Sequence, residues 1–133
     1  EAKVAEVYAA NDNPTVQEIL DNLMTIREYA EAPEGQRPAI WVGGKDSYAG
    51  KTVVDFAGGL GAELDELKAL MTAGVGTFVC MHMDAGIVKA LQEDNRCNVL
   101  CMGHMASDSI GFNQILDAWE ARGVEITRIG GLI

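Results

Sequence analysis

Residues 75–104 read Val75-Gly76-Thr77-Phe78-Val79-Cys80-Met81-His82-Met83-Asp84-Ala85-Gly86-Ile87-Val88-Lys89-Ala90-Leu91-Gln92-Glu93-Asp94-Asn95-Arg96-Cys97-Asn98-Val99-Leu100-Cys101-Met102-Gly103-His104. Two short apolar runs, Thr77 to Met81 and Asn98 to Met102, have the length and composition of buried strands. The stretch between them, roughly 84 to 94, has the pattern of a helix and ends at Asn95. Strand, helix and strand in this order predict a right-handed crossover between parallel strands.

The same rhythm extends outward. Ala39 to Val42, Thr52 to Phe56 and Val124 to Ile129 also read as strands, and roughly 62 to 73 and 107 to 121 read as helices. This alternation predicts an α/β fold with a mainly parallel sheet covered by helices on both faces. Gly43-Gly44-Lys45-Asp46 and Gly50 suggest a hairpin-like pair that adds an antiparallel edge. Upstream, Asn13-Pro14 followed by Val16, Ile19, Leu20, Leu23 and Ile26 gives a cap, a first-turn proline and helical spacing over roughly 14 to 32. The breaker cluster Ala32-Pro33-Glu34-Gly35-Gln36-Arg37-Pro38 then marks a linker. The chain therefore reads as one domain over 1–133, with a helical segment and linker in 1–38 and an alternating core in 39–133. Residues 2 to 7 look like the interior of something longer, so a fragment or a processed product is expected.

Charge narrows the partners. Ten basic and 20 acidic residues give a net charge of -10, which disfavours nucleic acid and anionic membrane surfaces, where affinity rests on Lys and Arg meeting phosphates. No apolar run approaches the roughly 20 residues of a spanning helix. With the odd count of three cysteines, two of them inside apolar strands, this predicts a soluble cytoplasmic protein with reduced core thiols.

In open parallel sheets ligands bind beyond the carboxyl ends of strands, where loops lead into helix N-termini. Three such ends stand out: Asp55-Phe56-Ala57-Gly58-Gly59, Cys80-Met81-His82-Met83-Asp84 and Cys101-Met102-Gly103-His104, and both histidines of the chain fall there. His104 and Asp108 are four residues apart, so on a helix they project from one face. An imidazole nitrogen and a carboxylate oxygen so placed suit a divalent metal such as Zn, Mn or Fe, with His82 as a further ligand or a catalytic base. The alternative is that Ser107 or Asp108 caps the helix and His104 makes an ordinary hydrogen bond. Asp55, late in an apolar strand, is either a possible additional ligand or an acceptor for the amides of 57–59.

Other patterns carry less. Cys80, His82, Cys101 and His104 lack the tight-turn pairing of structural zinc sites. Gly59-Leu60-Gly61 lacks the third glycine of a dinucleotide fingerprint, and Gly50-Lys51-Thr52 enters a strand where a P-loop needs a helix. Gly58 and Gly59 remain as a generic anion cradle, which would suit a nucleotide-sensing domain. Met81, Met83, Met102 and Met105 surround the histidines and read chiefly as core filling, with a soft-metal site as the alternative.

The run Asn98-Val99-Leu100-Cys101-Met102-Gly103-His104-Met105-Ala106-Ser107-Asp108-Ser109-Ile110-Gly111, with Arg122-Gly123-Val124-Glu125-Ile126, resembles the Nif-three-like dinuclear metal centre proteins, also called GTP cyclohydrolase I type 2-like. Their signature is Gly-His, two variable residues, Ser or Thr, an acid, and Gly three residues on. The resemblance extends back through Ala73 to Phe78 and Val53 to Gly59, covering roughly 50 to 130. It implies a Nif-three-like fold, metal binding by His104 and Asp108, a hydrolase-like activity on a small phosphorylated or heterocyclic substrate, and a homo-oligomeric ring. It equally allows a non-catalytic metal-binding or scaffold protein. The family usually has Glu where Asp108 stands, and its remaining ligands, a His-His pair and an Asp, precede the matched part. The resemblance therefore leaves two ways to a full site: ligands from elsewhere, or a site remade from His82 and Asp55.

Overall fold

The computed structural model describes residues 1–56 and 61–133. Its sheet has four strands, β1 (Ala39–Val42), β2 (Lys51–Asp55), β3 (Val75–Cys80) and β4 (Asn98–Cys101), in the order β1-β4-β3-β2. β2 pairs parallel to β3 and β3 parallel to β4, while β1 runs antiparallel to β4. The sheet is thus mixed, with an antiparallel edge. That edge does not come from a hairpin, because β1 and β2 lie at opposite borders of the sheet and their connection crosses it.

Each parallel step carries its crossover helix, α4 (Leu64–Thr72) between β2 and β3 and α5 (Ala85–Asp94) between β3 and β4. Alternation along the strands sorts their side chains between two cores. Phe78 and Val99 face Leu67, Met71 and Leu91 of α4 and α5, and Val79 and Leu100 face the opposite side. There the covering layer is α1 (Ala2–Ala10), α2 (Val16–Leu23), α3 (Arg27–Ala30) and α6 (His104–Glu120), which contribute Val4, Val16, Ile19, Tyr29 and Ala106. The result is a helix, sheet, helix sandwich.

The long helix expected over 14 to 32 is two helices. Its cap is Thr15, whose side chain accepts from the Glu18 amide while the Glu18 carboxylate accepts from the Thr15 amide. The break follows Leu23, where Thr25 Oγ1 donates to the Asn22 carbonyl at 2.7 Å and Ile26 becomes extended. Residues 124–129 form no strand. The border of β4 that they would need is taken by β1, with Ala39 opposite Cys101 and Ile40 opposite Leu100. Arg128 instead ties this tail to α6 through Glu120 and Asp117 at 3.1 to 3.3 Å. No helix among the described residues is long and apolar enough to cross a membrane.

Candidate metal centre and adjoining cavity

β4 passes into α6 through Met102 and Gly103, the glycine at φ +83°. A side chain at this position would strike the Gln36 carbonyl, since a Cβ would lie 2.3 Å from that oxygen. Neither Ser107 nor Asp108 caps α6. The N-cap is Gly103, and the Ser107 hydroxyl donates back to the Gly103 carbonyl at 2.7 Å and meets the Tyr29 hydroxyl at 3.2 Å. His104 and Asp108 are thereby free to face each other along α6, with Nε2 and Oδ2 3.3 Å apart and both side chains partly exposed.

The parallel order β2-β3-β4 brings the neighbouring ends into a row. His82, just beyond β3, stacks on His104 with ring centroids 5.0 Å apart and planes 10° apart. Asp55 ends β2 opposite Cys80 and shares with His82 the wall of a cavity of about 370 Å³. The structure therefore brings His104, Asp108 and His82 together, and joins Asp55 to His82 through the cavity. Gly58 and Gly59, expected to cradle an anion, lie outside the described residues.

The donor chemistry of His104 and Asp108 fits a divalent ion. Two donors each about 2.1 Å from an ion and 3.3 Å apart subtend roughly 100° at it, near the tetrahedral angle. The number of donors is incomplete. No three His, Cys, Asp or Glu side chains among the described residues converge as a metal site, so the described part of the chain does not rebuild a full centre from His82 and Asp55.

Cys80 and Cys101, in register on β3 and β4, pair with each other. The hydrogen bond from Cys80 pulls the Cys101 thiol down to about 7, while the same bond and burial push the Cys80 thiol up. Cys101 Sγ also donates to the Met81 carbonyl at 3.3 Å. All three cysteines are free and buried. Met81 and Met102 are core residues, so at these two positions core filling accounts for the methionines. Sequence reasoning missed Asn98, whose buried amide donates to the Tyr48 and Gly76 carbonyls and to Thr77 Oγ1 at 3.1 to 3.2 Å. A polar residue opening an apolar run was its one signal.

These features define a class, an α/β protein with a mixed sheet and an imidazole–carboxylate pair on the helix that leaves its central strand. No family model matches the chain, and no curated protein matches it. Among solved structures it is similar to a NIF3 superfamily protein from Sphaerobacter thermophilus, at 32% identity and a TM-score of 0.82, over 98% of this chain and 47% of that one. A Bacillus cereus protein related to NIF3 shares the fold at 13% identity and a TM-score of 0.53, over 90% of this chain and 32% of that one. A Staphylococcus aureus hypothetical protein does so at 14% identity and 0.52, over 87% and 31%. The chain has the Nif-three-like fold, and its likeness to the Sphaerobacter protein supports membership of the NIF3 superfamily. It spans about half the length of the Sphaerobacter relative and about a third of the other two.

Proposed function

We propose that the chain is a metal-binding protein that holds a divalent cation, Zn, Mn or Fe, on His104 Nε2 and Asp108 Oδ2, and that it serves the hydrolysis of a small phosphorylated or heterocyclic substrate. The observation that carries this reading is the 3.3 Å separation of those two atoms on one exposed face of α6. When bound, a divalent ion supplies Lewis-acid chemistry to such a hydrolysis. His104 and Asp108 hold the ion, and Gly103 fixes where α6 starts and so where both side chains point. His82, stacked on His104 and lining the cavity, is the group placed to take up a proton from a molecule seated there. Two ligands from this chain leave the other positions to water or to other protein groups.

Elemental analysis after dialysis against a weak chelator tests the proposal. Wild type retains metal, His104→Ala and Asp108→Asn lose most of it, and His82→Ala loses less. Retention falls on acidification, because a ligating imidazole must be unprotonated. Equal metal in wild type and His104→Ala would sink the proposal.

A second reading, a non-catalytic metal-binding scaffold that self-associates into a ring, is favoured by a separate observation. Phe112, Ile115 and Trp119 are all about half exposed on α6, on the side that carries Asp108. Turnover of phosphate esters or heterocycles separates the two readings.

A further inference from the structure

The cavity lies beyond the carboxyl ends of β2 and β3, between the N-terminal ends of α4 and α5. At about 370 Å³ it falls in the size range of small-molecule sites. Its floor is apolar, made by Val53, Leu67, Phe78 and Ile87. Its ionisable rim is acidic: Asp55, Glu63 and Asp84 stand there with His82, and no Lys or Arg is among the described lining residues.

Two helix N-termini at a cavity mouth would ordinarily favour an anion, because their amides are free to donate. Here the protein's own carboxylates already use several of those amides. Asp84 Oδ1 accepts from the amides of Gly86 at 2.7 Å and Ile87 at 3.3 Å. At α4, the Glu63 amide donates to Glu66 Oε2 at 2.9 Å. An incoming phosphate would meet donors already in part occupied and three carboxylates, on a chain whose net charge is -10.

We infer that this cavity binds a small planar molecule presenting nitrogen-bound hydrogens or a delocalised positive charge, of the amidine or amino-heterocycle class, and not a phosphate ester. The apolar floor takes the ring, and the acidic rim takes the N–H groups in charge-assisted hydrogen bonds. His82 then stands between the bound ring and His104. The inference rests on the proposed hydrolysis only for the chemistry that follows, where it narrows the substrate to the heterocyclic alternative. Binding itself requires no metal.

Three probes share one ring and differ in charge: benzamidine, benzoate and phenyl phosphate. Each is titrated into the intact chain without added metal and followed by ligand-observed NMR and calorimetry. Benzamidine binds, and the two anions do not. Asp55→Asn weakens benzamidine by about tenfold, the scale of one charge-assisted hydrogen bond. Ile87→Trp, which fills the floor, abolishes binding, with circular dichroism reporting whether each variant is folded. Benzoate or phenyl phosphate binding as tightly as benzamidine overturns the inference, as does benzamidine binding that neither variant changes. Metal retention is measured separately, so the failure of either reading leaves the other result standing.

Discussion

At Gly103 a single backbone position decides where His104 points, because the residue sits at φ +83° with the Gln36 carbonyl packed against its Cα. Gly103→Ala combines left-handed strain with a backbone clash, and it is expected to cost about 3 kcal/mol in a urea titration. The same variant should retain less metal than wild type even where it remains folded. Asn98→Ala strips three buried or part-buried acceptors of their donor and is expected to cost about 2 kcal/mol by the same measurement. The two residues differ in how far the sequence exposed them. The i, i+4 relation of His104 and Asp108 could be read directly, because helical geometry alone puts those side chains on one face. Their freedom from capping could not, since it depends on Gly103 supplying the turn and on Ser107 bonding backward. Asn98 was hidden for a related reason: its partners Tyr48, Gly76 and Thr77 come from two other segments, and nothing local announces them.

Among the elements, α2 shows how a short helix is held at its start. Thr15→Ala removes one half of the capping box and is expected to lower stability by about 1 kcal/mol, read as a shift in the denaturation midpoint. The other half titrates. Backbone and side-chain hydrogen bonds from Thr15 and a bond from Asn11 hold the Glu18 carboxyl below its usual range. A carboxyl depressed in the folded state stabilises above the unfolded-state pKa, and that contribution is lost as pH falls through the folded one. Acid titration of Glu18→Gln against wild type should therefore show the two curves converging at low pH; curves that stay parallel would exclude the effect. β3 and β4 were legible as short apolar runs, and α4 and α5 because each is followed by a Gly or Asn stop, Gly74 and Asn95. The run 124–129 was misleading because strand-like alternation says nothing about whether the neighbouring strand has a free side. Here β1 had taken that of β4, and Arg128 found carboxylates on α6. The antiparallel direction of β1 was foreseen, and its partner was not, because a pairing so distant in sequence leaves no trace in either segment.

Viewed whole, the molecule gathers its candidate site residues at the carboxyl ends of the parallel strands and carries an apolar stripe along α6, the helix that bears His104 and Asp108. If Phe112 and Trp119 are buried between copies, sedimentation at micromolar concentration shows an oligomer that Phe112→Glu with Trp119→Glu reduces to monomer. A compact monomer for wild type would refute the self-association reading. The mixed sheet has a further consequence in time. Strands β2, β3 and β4 are joined by crossovers through adjacent helices, so each pairing closes a loop of about 20 residues. β1 must wait for β4, the last of the four described strands, although it precedes the other three in sequence. Until then the β4 border that it will cover stands open, and β1 itself is an unpaired strand looking for a neighbour. Pulse-labelled hydrogen exchange during refolding should find the amides of Val79 and Leu100 protected before that of Ala39. The interval between the two is the window in which the chain is most exposed to pairing with the wrong partner.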